Sequence, residues 1–166
     1  MDFMTNFCFE EIALGQRAEI RKTLSQQDIA LFAAMSGDVN PAHLDQDYAS
    51  KTPFKTVIAH GMWSSSFIST LLGTILPGPG TIYLSQSVRF KRPVILGDQI
   101  TVSIEVIRRD EEKKRIAFAN TITNQRGEVV LIGESEVIPP TTKLHMMKPK
   151  QPMIMIEKEE GVSHGF

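Results

Sequence analysis

Two side chains that can exchange protons with water lie five positions apart in one short polar segment. Asp38 and His43 are separated by Asn40 and Pro41, and Gly37 precedes them. A carboxylate and an imidazole held close together can bind one water molecule, remove one proton from it and deliver another. Asn40 can fix the segment through its side-chain amide. The same residue types are common in turns, so Asp38 could equally serve only as an Asx turn or a helix cap.

A second candidate site lies at His60 and Gly61, directly before an uncharged run from Met62 to Leu76. This run is too short to span a membrane and ends in a Gly/Pro turn, so we predict a helix that is buried on all sides. The first N–H groups of a helix are free and carry a positive partial charge. The Gly61 N–H could therefore form half of an oxyanion hole, although such a glycine can also be purely structural. For His60 we expect a role in ordering the loop rather than acid–base chemistry.

The sequence gives less support to a serine hydrolase, a disulfide or a metal site. The serines from Ser64 to Ser66 lack the Gly-x-Ser-x-Gly elbow of a serine hydrolase. The chain has one cysteine, Cys8, and no Cys/His cluster with the spacing of a zinc site. We therefore expect neither a disulfide nor a metal.

The composition predicts one domain of ordinary type. The chain has 166 residues, of which 42% are hydrophobic and 22% charged, and this is enough apolar material for a sizeable core. A formal net charge of -1 argues against a nucleic-acid partner and against a polybasic membrane surface. Because the N-terminal residues do not resemble a signal peptide, we expect a cytoplasmic protein without a membrane partner.

The elements that must position these residues can also be predicted. Ser25 and Asp28 resemble a capping box, followed by a helix that should stop near Gly37. A loop through His43 and a short helix around 45–50 should come next. Stretches rich in β-branched and aromatic residues predict the strands, at 17–24, 81–90, 99–108, 115–123 and 129–138. Helices early and an antiparallel meander late indicate an α+β fold with a sheet around one helix.

The pattern ends at Pro139, after which prolines and methionines interrupt every periodic run. We therefore divide the chain into one domain at 1–138 and a C-terminal tail or linker at 139–166.

Several motifs together resemble the MaoC-like (R)-specific enoyl-CoA hydratases, over about 14–138. The motifs that carry the resemblance are Ser36-Gly37-Asp38-x-Asn40-Pro41-x-His43, His60-Gly61-Met62, Leu76-Pro77-Gly78-x-Gly80-x-Ile82-Tyr83 and Phe90-x-x-Pro93-Val94-x-x-Gly97-Asp98. That family has a hot-dog fold, in which an antiparallel sheet wraps around a long central helix. The resemblance implies this fold for residues 1–138.

The resemblance also implies an activity, which is the reversible addition of water to a trans-2-enoyl-CoA to give an (R)-3-hydroxyacyl-CoA. No cofactor is implied, since CoA is part of the substrate. By position in the motifs, Asp38 and His43 would hold the catalytic water, and the Gly61 N–H would bind the thioester oxygen. Asn40 would belong to the substrate site, and Ser69 matches a family position that supports the catalytic loop.

Further expectations concern the substrate and the assembly. Two apolar residues, Phe67 and Leu72, are candidate walls of an acyl tunnel, and core packing explains them equally well. The wider set of candidate walls adds Ile68, Leu71 and Val130. The candidate contacts for CoA phosphates are Arg89, Lys91 and Arg92, which could also be solvated charges. The resemblance implies a homodimer, since hot-dog folds commonly pair their sheets side by side.

Two other functions stay open at this stage. A hot-dog acyl-CoA thioesterase usually carries a carboxylate on or just before its central helix, and residues 62–76 contain none. A non-catalytic acyl-CoA-binding module is the other alternative. Some bacterial phosphate acetyl- or butyryltransferases begin with a MaoC-like domain, and residues 136–143 resemble its exit into their linker. A fused or partner phosphate acyltransferase is therefore also predicted.

Overall fold

The computed structural model describes residues 3–155, and a five-stranded antiparallel sheet dominates it. The strand order is β2-β4-β5-β6-β3, so β2 and β3 form the two edges. The strands of this sheet are β2 (Arg17–Thr23), β3 (Ile82–Phe90), β4 (Gln99–Asp110), β5 (Arg115–Asn124) and β6 (Val129–Ile138). All five predicted strands are confirmed, with bounds that shift by at most a few residues.

The alternation of residue types explains which face of the sheet is covered. On β4, Ile100, Val102, Ile104 and Val106 are all buried, while the intervening residues are only partly covered. Side chains alternate between the two faces of a strand, so these four residues share one face. They join the core formed with helix α4 (Gly61–Thr74). The predicted α+β fold, with a sheet packed on one central helix, is confirmed.

Helix α4 begins where the sequence predicts it, but it is not buried on all sides. Trp63, Ile68 and Leu71 face the sheet, whereas Ser66 and Ser69 are exposed on the opposite side. An uncharged helix face can remain in water because hydroxyl groups bond to the helix backbone, as Ser66 Oγ does when it donates to the carbonyl of Trp63 at 2.7 Å. The prediction of complete burial was therefore wrong, because it equated absence of charge with burial.

Three shorter α-helices precede α4. Helix α1 (Gln26–Ser36) starts at the predicted capping box, in which Ser25 accepts from the Asp28 N–H and the Asp28 side chain accepts from the Ser25 N–H. It ends at Gly37, whose φ of 75° is the left-handed conformation that glycine adopts readily. Helices α2 (Pro41–Leu44) and α3 (Gln46–Ser50) follow. The expected loop through His43 is thus wrong in part, because Pro41 suits the first position of a helix.

The first residues after β6, up to residue 147, pack against the N-terminal segment. Strand β7 (His145–Met147) pairs with β1 (Phe3–Thr5), and a one-turn helix covers Phe9–Glu11. Lys143 forms an ion pair with Glu11 at 2.7 Å. The boundary at residue 138 stays a prediction, but residues 139–147 contact the body of the domain. The end of the predicted tail, residues 156–166, lies outside the described residues.

Within residues 3–155, no helix has both the length and the apolar character needed to cross a bilayer.

Candidate active site

The segment between α1 and α2 fixes the backbone and the carboxylate of Asp38. The Asp38 N–H donates to Ser36 Oγ at 3.2 Å, and Asp38 Oδ1 accepts from the Asn40 N–H at 3.2 Å. Asn40 Oδ1 in turn accepts from the Ala42 N–H at 3.0 Å and caps α2. Asp38 is therefore the acceptor of an Asx turn, as the structural interpretation expected. Only Oδ1 of the Asp38 carboxylate takes part in these bonds. Its other oxygen has no hydrogen-bond partner among residues 3–155 and remains for a ligand.

His43 is held by a reciprocal contact between α2 and the segment before α4. Its Nδ1 lies 2.9 Å from the carbonyl oxygen of Ile58, and the Ile58 N–H donates to the carbonyl of Ala42 at 3.3 Å. A carbonyl oxygen can only accept, so Nδ1 of His43 carries the proton. In the neutral ring Nε2 is then unprotonated, and no group in the described part of the chain bonds to it. His43 is 9% exposed, and its Nε2 can accept a proton.

His60 lies between the other two groups. Its ring stacks on the ring of His43 with centroids 3.8 Å apart, and its Nε2 is 2.9 Å from the carbonyl oxygen of Asp38. Phe32 of α1 covers the His60 ring with a centroid distance of 4.9 Å. Asp38, His43 and His60 each place one carboxylate oxygen or ring nitrogen within 4.8 Å of the others. The predicted pair is thus brought together, with a third residue that was expected only to order the loop.

These three residues are a poor fit to a metal ion although they are of ligand type. A metal binds an imidazole nitrogen in the plane of the ring. The two imidazole rings are stacked, with an interplanar angle of 30°, so their lone pairs lie side by side and do not converge on one point. The arrangement suits a small molecule that takes part in hydrogen bonds better than a tetrahedral ion.

Gly61 forms part of a cavity of about 300 Å³ beside the two histidines. It is the first residue of α4, so its N–H has no partner within the helix. A Cβ at this position would lie 2.9 Å from the ring of Phe90, so a larger residue would have to displace that side chain. The lining residues are His43, Phe54, Ile58, Ala59, His60, Gly61, Ser64, Phe90, Lys91, Arg92, Pro93 and Val94. The predicted proton-exchanging side chain of His43 and the predicted oxyanion donor therefore face the same cavity.

Two of the three predicted phosphate contacts are at this cavity. Lys91 and Arg92 line it, whereas Arg89 lines a separate shallow groove with Glu134. Arg92 donates to the carbonyl of Val129 at 3.2 Å and lies 3.7 Å from a Glu128 oxygen. Lys91 has no ion-pair partner among residues 3–155, so its charge is available to an anionic ligand.

Three predicted substrate residues are placed elsewhere. Ser69 is on the exposed face of α4, and Leu72 is in the core at 1% exposure. Phe67 is partly buried and packs edge-on against Trp63. None of the three lines the cavity in this chain, and their roles stay predictions.

Other cavity residues were missed by the sequence interpretation. Ser64 is buried one turn into α4 and donates to the Gly61 carbonyl at 2.8 Å. Phe54 and Phe90 supply aromatic walls from a loop and from the end of β3. Only the helical spacing between Gly61 and Ser64 was a usable signal, since the other contacts come from the tertiary fold.

A family model described as MaoC like domain matches residues 10–127. An (R)-specific enoyl-CoA hydratase of Rhodospirillum rubrum is 52% identical over 132 residues, which cover 80% of this chain and 91% of that protein. An (R)-specific enoyl-CoA hydratase of Aeromonas caviae is 41% identical over 128 residues, which cover 77% of this chain and 96% of that protein. Among solved structures, an unliganded R-hydratase of Pseudomonas aeruginosa is 45% identical, with a TM-score of 0.89. That match covers 94% of this chain and all of the other.

Proposed function

Because the chain belongs to the MaoC-like domain family, we propose that it is an (R)-specific enoyl-CoA hydratase. It adds water to a trans-2-enoyl-CoA, gives the (R)-3-hydroxyacyl-CoA and catalyses the reverse dehydration. The observation that carries this proposal is the approach of Asp38 to His43, which lines a cavity together with Gly61, the first residue of α4. Relatives named as hydratases at 52% and 41% identity support the same reaction.

In the proposed reaction, one water molecule lies between the Asp38 carboxylate and Nε2 of His43. The tautomer fixed by the Ile58 carbonyl leaves Nε2 as an acceptor, so it orients the water and takes up a proton. The water oxygen forms a bond to the β-carbon of the enoyl group while the α–β double bond breaks. A proton from the Asp38–His43 pair is delivered to the α-carbon on the same face. The atoms of one water molecule are thus all accounted for in the product.

Gly61 stabilises the charge that develops on the substrate. As the double bond breaks, the thioester oxygen becomes enolate-like, and a free N–H at a helix N-terminus stabilises negative charge there. The same contact polarises the thioester before attack and makes the β-carbon more electrophilic. The backbone of Gly61, rather than a side chain, supplies this function.

The remaining predicted site residues have supporting or binding roles in this proposal. Asn40 holds the Asp38 loop by capping α2. Lys91 and Arg92 contact phosphates of CoA at the rim of the cavity, which their position and charge support. Ser69, Phe67 and Leu72 stay proposed as contacts of the loop and the acyl chain.

We propose that the reaction needs no metal or organic cofactor. The hydrogen-bonding groups of Asp38, His43 and Gly61 account for each proton and for the developing charge without one. Dialysis against a strong chelator should leave the hydration rate unchanged, and a loss that zinc restores would overturn this point.

We also propose a homodimer. Strand β3 is an edge of the sheet and exposes Ile82, Leu84 and Phe90, and an unpaired apolar edge favours pairing with a second copy. Sedimentation equilibrium should give twice the mass of the chain, and a monomer at micromolar concentration would contradict the proposal.

A cytoplasmic location and a fused or partner phosphate acyltransferase stay predictions. The lone cysteine, Cys8, is unpaired, as is usual in a reducing compartment. Fractionation of the native cell and co-purification with the protein at its native level would test the two points.

The proposed function is tested by following two signals from the purified protein and crotonyl-CoA in one cuvette. Loss of the conjugated-enoyl absorbance without release of thiol, with an (R)-alcohol detected by an (R)-specific dehydrogenase, is the expected result. Release of thiol would instead identify a thioesterase. Binding of the thioester without either signal would identify a non-catalytic module.

A further inference from the structure

His60 contacts Asp38 and His43 and is bonded to Gly61, although it takes no part in proton transfer in the proposed reaction. Its Nε2 meets the backbone of Asp38, its ring stacks on His43, and its own peptide bond leads to Gly61. We propose that His60 is a positioning residue, which in its neutral Nε2–H tautomer fixes Asp38 and His43 relative to the Gly61 N–H. This inference rests on the proposed function for its kinetic test but not for its spectroscopic one.

The tautomer follows from the partners of the ring. The carbonyl oxygen of Asp38 lies 2.9 Å from Nε2 and can only accept, so Nε2 donates and carries a proton. The other nitrogen, Nδ1, is buried and has no hydrogen-bond partner in the described part of the chain. A second proton on Nδ1 would create a buried N–H without an acceptor and a buried charge, both of which are unfavourable. His60 is therefore neutral, with its lone pair on Nδ1.

The two stacked histidines consequently hold opposite tautomers. His43 is protonated at Nδ1 by its contact with the Ile58 carbonyl, and His60 is protonated at Nε2 by its contact with the Asp38 carbonyl. Each ring thus donates its N–H to a backbone carbonyl in a different loop. Because the two rings stack with centroids 3.8 Å apart, they connect those two loops.

The position of Asp38 depends on this contact because its segment has few others. Asp38, Val39 and Asn40 are all exposed, and their other polar contacts are local bonds within the segment. The bond from His60 is the contact that ties the Asp38 backbone to the start of α4, 22 residues away in sequence. A misplacement of the carboxylate by about 1 Å can lower a rate by as much as about 100-fold.

Two substitutions separate the effect of the His60 hydrogen-bond donor from the effect of its aromatic ring. His60→Gln keeps a donor nitrogen at the same reach but removes the aromatic ring, whereas His60→Phe keeps a stacking ring but cannot donate. His145→Phe is the matched control, because His145 lies in β7 and stacks on Phe3 away from the cavity. We expect His60→Phe to lower kcat by at least about 10-fold with KM changed by less than about threefold. His60→Gln should regain kcat to within about threefold of the wild type.

The thermal midpoints of the three variants decide between a positioning and a merely structural role. The inference requires that His60→Phe loses kcat while its midpoint stays close to that of His60→Gln. The inference would be overturned if both variants had the kcat of the wild type. It would also be overturned if both lost kcat equally and in proportion to the fall in their thermal midpoints.

A second measurement does not depend on activity. Long-range ¹H–¹⁵N spectra of the labelled wild type should show His60 as the Nε2–H tautomer and His43 as the Nδ1–H tautomer. His60→Phe and His145→Phe assign the signals by their absence. A doubly protonated or Nδ1–H His60 at neutral pH would overturn the inference even if the protein is an active hydratase. If the wild type has no hydratase activity, the proposed function fails, and the spectra still test the His60 contact.

Discussion

Asn6 and His60 are both almost completely buried polar residues, but they differ in how their polar atoms are used. Asn6 donates to the carbonyls of Pro79 and Thr142 and accepts from the Leu144 N–H, at 2.9 to 3.0 Å. His60 makes one hydrogen bond and leaves Nδ1 without a partner in the described part of the chain. The comparison shows that burial alone does not indicate function. The side-chain polar atoms of Asn6 are all bonded and hold segments of the fold together, whereas His60 keeps an unpartnered buried nitrogen beside the proposed site.

The surroundings of the two residues differ in the same way. Around Asn6, the N-terminal segment, the turn after α4 and the segment after β6 meet, and we call this the terminal junction (residues 3–11, 77–80 and 139–147). Around His60 lies the proposed site, which we call the catalytic corner (residues 36–64). There Asp38, His43 and His60 each use one polar atom in a bond to the backbone, and the two histidines line the cavity. The terminal junction should therefore affect stability, and the catalytic corner should affect the rate.

The largest effect is expected for Asp38 and His43, the two residues of the catalytic corner that we propose exchange protons with water. Asp38→Asn keeps an oxygen that can accept from the Asn40 N–H, and His43→Asn keeps a donor that can reach the Ile58 carbonyl. Each should lower kcat for hydration by about 100- to 10,000-fold, because a group that exchanges protons is lost. Steady-state kinetics with crotonyl-CoA measure the effect.

Circular dichroism and the thermal midpoint are the control for these variants. A folded variant with a wild-type rate would remove that residue from the catalytic role, and an unfolded variant would assign it to the fold instead.

An intermediate effect is expected at the terminal junction. Asn6→Ala removes three hydrogen bonds made by a buried side chain, each contributing about 1 kcal/mol, so the free energy of unfolding should fall by about 3 kcal/mol. The rate per folded molecule should not change, since Asn6 does not line the cavity. Urea unfolding and kcat, measured on the same sample, check both statements.

Asn6→Asp is the matched variant for this comparison, because it keeps the acceptor for the Leu144 N–H and loses both donors. A fall in kcat that is larger than the fall in the folded fraction would show that the two regions are coupled and would contradict the separation.

The smallest effect is expected at the start of α1, which leads into the catalytic corner. Burial alone would raise the pKa of Asp28, but hydrogen bonds from Ser25 and the charge of Lys22 outweigh it and hold the pKa below its ordinary value of 3.8. Such a carboxylate stabilises the fold above its unfolded pKa, and the contribution is lost as the pH falls through the folded pKa. Asp28→Ala should therefore cost about 1 kcal/mol at pH 7 and less in acid.

Urea unfolding of both proteins from pH 7 down to acid measures this difference. Glu112→Ala, which removes an exposed carboxylate from the turn between β4 and β5, is the matched control. A difference between Asp28→Ala and the wild type that grows in acid would contradict the sign.

The sheet could be predicted from the sequence because its signal is local. Alternation along 99–106 and the turn residues between strands specify which face is buried, and the capping box at Ser25 fixes the start of α1. The pairing of β1 with β7 could not be predicted, since both strands are three residues long and more than 130 residues apart. Exposure of one α4 face was missed because serine and threonine carry no charge.

The candidate site was predictable in its residue types but not in its contacts. His43 from the motif and the glycine at the start of α4 line one cavity, and Asp38 lies close to His43; the roles of these residues stay predictions. The stack of His43 on His60 and the walls of Phe54 and Phe90 depend on residues distant in sequence, so local spacing held no information on them.

We propose that Asp38 and His43 act on one water molecule as a unit, and a double-mutant cycle distinguishes this from independent action of the two residues. We would measure kcat for hydration of crotonyl-CoA by the wild type, Asp38→Asn, His43→Asn and the double variant. Residues that act as a unit are not additive, so the double variant should be no slower than the slower single variant within about threefold. If the two losses instead multiply, Asp38 and His43 act independently and the account of a shared water molecule is wrong.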